Sequence, residues 1–125
     1  MTLTLAILAD TFTVCRLAPD APIPDWARGD FVSITRTRDE LSIVCPQNIV
    51  PENVQCENNW RAFKIAGQLD FALIGILASM ATPLAQASIP VFAISTFDTD
   101  YVLVKAQDLS RAQEALTQAG HQVIP

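Results

Sequence analysis

Basic residues are scarce in this chain. Eight Lys and Arg stand against thirteen Asp and Glu, giving a formal charge of −5 and a pI near 4.5. No local Lys/Arg cluster reverses that balance, so phosphate backbones and anionic lipid surfaces are repelled, which argues against nucleic-acid and membrane-surface binding. Histidine occurs once, at position 121, with no Ser or Cys motif to partner it, and reads as a surface or cap residue. GxSxG, HExxH, P-loop and GxGxxG patterns are all missing, so nothing in the chain argues for an enzyme or a cofactor. The three cysteines, Cys15, Cys45 and Cys56, are odd in number and lack a CxxC spacing. That disfavours a disulfide framework and a zinc site, fits a reducing cytosol, and leaves three buried or half-buried free thiols as the expectation.

Charge is also absent from Phe71 to Phe97, 27 positions in a row. The length would span a bilayer. Pro83, Gln86, Ser88 and Pro90 interrupt it, however, so an apolar helix followed by an apolar strand explains it better than a membrane span. The N-terminus, MTLTLAILADTFTVCRLAPD, has no basic segment and its apolar run stops at Asp10, so it reads as a first strand and not a signal peptide.

What the chain does have is hydrophobic content, at 50% of 125 residues. That suffices for one compact unit or two half-size units sharing a core. Leu3 to Ala9 and Thr11 to Leu17 read as strands. A proline-rich loop leads to Asp25-Trp26-Ala27-Arg28-Gly29, about one helical turn with Asp25 as its cap. Phe31 to Thr35 and Leu41 to Cys45 form a predicted hairpin, and Val54 to Glu57 a short strand. WRAFKIA alternates as a half-buried strand should, and ALIGILASMATPLAQAS is a helix kinked or restarted at Pro83. Pro90 to Thr96 and Tyr101 to Lys105 are strands. Asp108 caps a last helix with the stripe Leu109, Ala112, Leu116 and Ala119, and His121 to Ile124 closes as a strand. The second half thus reads βαββαβ. An ungapped offset of 60 sets FVSITRTRDELSIVC on VFAISTFDTDYVLVK, matching Ile34 to Ile94 and Ile43 to Leu103. Hairpins match this way by chance as well as by duplication.

Two places carry candidate chemistry. Asp98-Thr99-Asp100 sets two carboxylates on one face of an extended segment, where they suit a cation or a basic ligand group, or decorate a solvated hairpin tip. The turn Ala66-Gly67-Gln68-Leu69-Asp70-Phe71 joins a strand to a helix and presents backbone N–H groups suited to a carboxylate, or is an ordinary loop.

The blocks PLAQASIPVFAISTFDTDYVLV and KAQDL, with DWARG and FVSITRTRDELSIVCP before them, resemble the ACT-domain family over nearly the whole chain. The resemblance is to small bacterial two-module proteins related to aspartokinase regulatory domains and to the arginine sensors called CASTOR. It implies an α/β (α+β, ferredoxin-like) fold of tandem βαββαβ modules with antiparallel sheets, over residues 1–59 (reduced) and 60–125. It also implies a non-catalytic, amino-acid-binding regulatory role, no cofactor and no metal, a C2 homodimer, and a cytosolic location. By position, the resemblance carries ligand contacts onto Thr96, Phe97 and Asp100 of the hairpin and onto Asp70, Phe71, Leu73, Ile74 and Leu77 of the loop. Pro90 and Val91 follow from the facing module's strand. Leu73 stands where the arginine sensors carry an acid, which favours an uncharged side chain over a guanidinium. The alternatives are an interaction module that has lost its ligand and pairs with a protein partner, and a small enzyme using Asp98 and Asp100.

Overall fold

The computed structural model describes residues 1–67 and 74–125. The chain divides into two compact units. The larger is Met1–Ala9 with Arg61–Pro125, and the smaller is Asp10–Trp60. A cut at residue 59 would place the first strand with the N-terminal module; in the structure that strand groups with the larger unit.

The larger unit holds β1 (Thr4–Ile7), the second half of β5 (Gln55–Ile65), α1 (Ile76–Gln86), β6 (Val91–Ser95), β7 (Asp100–Lys105), α2 (Leu109–Gln118) and β8 (Gln122–Ile124). From β5 onward this is βαββαβ, in the strand order β8-β1-β5-β7-β6. β1 intervenes between β5, which it meets antiparallel, and β8, which it meets parallel. Alternation puts Phe63 and Ile65 of β5, Leu5 of β1 and Val102 and Val104 of β7 on one face. Ile76, Met80 and Leu84 of α1 and Ala112 and Leu116 of α2 close over them as a core. Ala119, expected in the α2 stripe, is exposed, because the helix has ended at Gln118 and Gly120 turns the chain at φ 98°. Asp108 makes no side-chain cap; its carboxylate instead pairs with Arg111 at 3.1 Å.

Two expectations change here. α1 runs through Pro83 without restarting. Pro83 has no N–H for the Ser79 carbonyl four residues earlier. His121 Nε2 donates to that carbonyl at 2.8 Å, while its Nδ1 accepts the Leu3 N–H at 3.1 Å. The histidine read as a surface or cap residue is therefore buried, a bridge between Leu3, just ahead of β1, and α1.

The smaller unit holds β2 (Phe12–Leu17), β3 (Ser33–Arg36), β4 (Leu41–Pro46) and the first half of β5, in the order β3-β4-β2-β5. Its core is Cys15, Leu41, Ile43 and Cys45, covered by Leu17, Ala21, Trp26, Ala27 and Val32. No helix forms at 25–29. Pro24 and Trp26 carbonyls take the Ala27 and Arg28 N–H groups in a turn, and Arg28 Nε donates to the Asp25 carbonyl. The two strands expected around residue 58 are one strand, bent at Asn59 (φ 70°), whose N–H and side chain both bond Gln47. The β2–β5 register shifts at this bulge.

Both hairpins use the same four-residue loop. Thr37 N–H donates to the Glu40 carbonyl, its hydroxyl bonds that carbonyl, and Glu40 N–H donates to the Thr37 hydroxyl. Thr96 makes the same three bonds with Thr99. The structural repeat thus has an offset of 59, not 60. At 59, Ile43 and Cys45 fall on Val102 and Val104, all buried and facing their own cores. A one-residue slip would send every side chain to the other face.

Candidate functional site

The site grows from the β6–β7 hairpin. Ser95 and Asp100 are the last paired residues, and Thr96 closes the loop. Thr99, buried, donates its hydroxyl to the Ile65 carbonyl at 2.8 Å and so pins the loop to the end of β5. Ile65 faces the core, so its neighbour Lys64 projects from the opposite face. Beyond it the chain turns at Gly67, in the left-handed region at φ 87°. The result is a cavity of about 260 Å³ lined by Lys64, Gly67, Thr96, Asp98, Thr99 and Tyr101. Its lining residues include one lysine, one aspartate and three hydroxyl-bearing side chains, of which Thr99 donates to the Ile65 carbonyl and Thr96 to the Thr99 carbonyl. A larger groove, about 390 Å³ between α1 and α2, is lined by Pro83, Gln86, Ala87, Ala115, Gln118 and Ala119 and carries no charged side chain.

Of the residues the resemblance singles out, Thr96 lines the hairpin cavity. Phe97 stands beside it on the loop, 77% exposed. Asp100 is the first residue of β7, half-buried, and is not among the lining side chains. Ile74 is 89% exposed and Leu77, in the first turn of α1, 36%. Pro90 is exposed, whereas Val91 is half-buried and packs against the core of the larger unit. Asp70, Phe71 and Leu73 lie outside the described residues.

Lys64 and Tyr101 were not legible as site residues. The alternation of WRAFKIA puts Lys64 on a polar face, but only the pairing of β5 with β7 brings that face to the loop. Asp98 sits in the loop and Asp100 opens the strand that follows. Among the described residues, no group of three or more His, Cys, Asp or Glu is placed to hold a metal, and no helix is long and apolar enough to cross a membrane.

A family model for the ACT domain matches residues 55–118, just over half of the chain. The chain belongs to the ACT-domain family. A second family model, for an N-terminal domain, matches residues 10–53, close to the smaller unit. A crystal structure of an Agobacterium tumefaciens protein is 41% identical, covers 99% of this chain and 93% of its own, and superposes with a TM-score of 0.94. The regulatory subunit of aspartate kinase from Thermus thermophilus shares the fold at 12% identity, over 90% of this chain and 96% of that one, with a TM-score of 0.63. The human cytosolic arginine sensor for mTORC1 subunit 1 is 43% identical over 58 residues, 46% of this ACT chain. That match spans only 18% of the sensor's length.

Proposed function

We propose that this ACT protein is a non-catalytic regulatory module of the cytosol that binds a free amino acid at the β6–β7 hairpin. The observation that carries the reading is the joint lining of one cavity by Lys64 and Asp98. A zwitterion presents a carboxylate and an ammonium a few ångströms apart, and this wall holds the complementary pair. Lys64 receives the carboxylate, Asp98 the ammonium, and the Thr96 and Tyr101 hydroxyls complete the polar contacts. Phe97 packs over the aliphatic part of the ligand. With Leu73 in the loop in place of an acid, the favoured side chain is uncharged. The sensor to which 58 residues of the chain are similar is named for arginine, and arginine is the comparison that tests this preference.

In this reading a second copy of the chain covers the site in a C2 dimer with two equivalent sites. Asp70, Phe71, Ile74, Leu77, Asp100 and the backbone at Pro90 and Val91 belong to this enclosed form of the site.

Thermal unfolding against each of the twenty amino acids at millimolar concentration tests the reading. A ligand at 100 times its Kd stabilises by about 2.7 kcal/mol, several degrees in midpoint. One selective response, lost in Lys64→Ala and Asp98→Ala, supports the site. Twenty flat traces overturn it and favour the other reading, a protein-interaction module, to which the exposed Phe97 and Ile74 point.

A further inference from the structure

Cys15 of β2 and Cys56 of β5 are directly opposed in an antiparallel register, and their sulfurs lie 2.8 Å apart. Opposed residues project from the same face with Cβ atoms about 4.5–5.5 Å apart, near the reach of a disulfide. A covalent S–S bond of about 2.05 Å needs the two sulfurs to close by only about 0.8 Å. Both residues line a cavity of about 220 Å³ in the smaller unit, together with Arg16, Glu40 and Ser42. Cys56 is half-buried and Cys15 buried. Cys45, opposite Thr13 on the next strand, is buried and does not line that cavity.

We propose that Cys15 and Cys56 form a redox-active dithiol, a modification site at which a small peroxide drives a reversible disulfide between β2 and β5. Cys56, the more accessible thiol, reacts first. Its thiolate attacks one peroxide oxygen and the O–O bond breaks. The products are a sulfenic acid on Cys56 and hydroxide, which takes up the proton the thiol released and leaves as water. The Cys15 sulfur then attacks the sulfenic sulfur. The S–O bond breaks, and the departing hydroxide takes the Cys15 thiol proton as a second water. In sum, two thiols lose two electrons and two protons, and one hydrogen peroxide becomes two waters. Burial raises the Cys15 thiol's pKa, which disfavours it as the thiol that meets the peroxide first. A small thiol reductant reverses the bond by exchange. Closure links positions 41 apart and fixes the register below the Asn59 bulge.

The test treats the purified full chain with hydrogen peroxide, alkylates the remaining thiols, and measures intact mass and cross-linked peptides. The expected result is loss of two hydrogens, a fall from three free thiols to one, a Cys15–Cys56 peptide, and recovery with dithiothreitol. Cys45→Ser behaves like the unaltered chain. Cys15→Ser stops at the Cys56 sulfenic acid, which dimedone traps. Three thiols persisting after treatment overturns the proposal, as does a bond that uses Cys45 or joins two chains.

Discussion

His121 supplies the hydrogen bond that Pro83 cannot. The Ser79 carbonyl would bond the N–H of residue 83 in an uninterrupted helix; here the imidazole Nε2 donates to it at 2.8 Å, and α1 continues to Gln86. Because Nδ1 accepts from Leu3, the ring is held as the neutral Nε2–H tautomer. His121→Leu keeps bulk but leaves two backbone groups without this partner, at a cost of about 1–3 kcal/mol each. In a Pro83→Ala background the helix regains its own donor at that carbonyl. The His121→Leu penalty there should be smaller by about 1 kcal/mol or more, a coupling read from urea midpoints in a double-mutant cycle. Equal penalties in both backgrounds would dissociate the two residues.

The paired hairpins permit a controlled comparison. Thr37→Val and Thr96→Val each remove a hydroxyl that bridges the loop, with an expected loss of about 1 kcal/mol in chemical denaturation. Only Thr96→Val should also weaken the amino-acid response, since only Thr96 lines the cavity beside Lys64. Parallel losses of ligand response in both variants would mean that loop order, and not contact, governs binding.

Gly29 answers to a rigid neighbour. It holds φ 144°, and a Cβ there would stand 2.7 Å from Pro46 Cγ and 2.9 Å from Cδ. A proline ring has little freedom to give way. Gly29→Ala should destabilise by about 1–3 kcal/mol. Urea midpoints measure it, and an unchanged midpoint would show that the 25–29 turn moves freely away from β4.

Alkaline pH should weaken the fold through its thiols. Burial, with the Cys56 charge adding to it, pushes the Cys45 thiol from 9.0 up to about 11. Between those values the unfolded chain has released the proton and the folded chain retains it, so stability falls as pH rises through the window. Burial shifts Cys15 in the same direction. Urea midpoints from pH 7 to 10.5 should decline above pH 9, with a shallower slope in Cys45→Ala. Identical slopes would remove Cys45 from the account.

The second half of the fold was legible because its signals are local. The 3.6-residue stripe of Leu109, Ala112 and Leu116 and the period-two run of WRAFKIA each name their element and face. What escaped depends on partners distant in sequence. Asn59 reads as a strand break because nothing nearby reveals that Gln47 holds its bulge. The lone histidine reads as a surface or cap residue because Leu3 and Ser79 are 118 and 42 positions away. The repeat offset was misplaced by one because both registers align apolar residues, and only the direction of burial separates them. At the candidate site, the hairpin tip is readable from Asp98-Thr99-Asp100, while Lys64 depends on the β5–β7 pairing.

The discontinuity of the larger unit bears on how the protein is made. β1 is translated before the smaller unit and its partner β8 after it, with Thr4 opposite Gln122. The smaller unit lies wholly between them, its four strands contributed by residues 10–60. Vectorial synthesis therefore favours folding of the inner unit while β1 remains without β8, and the ACT sheet closes only once β8 has followed.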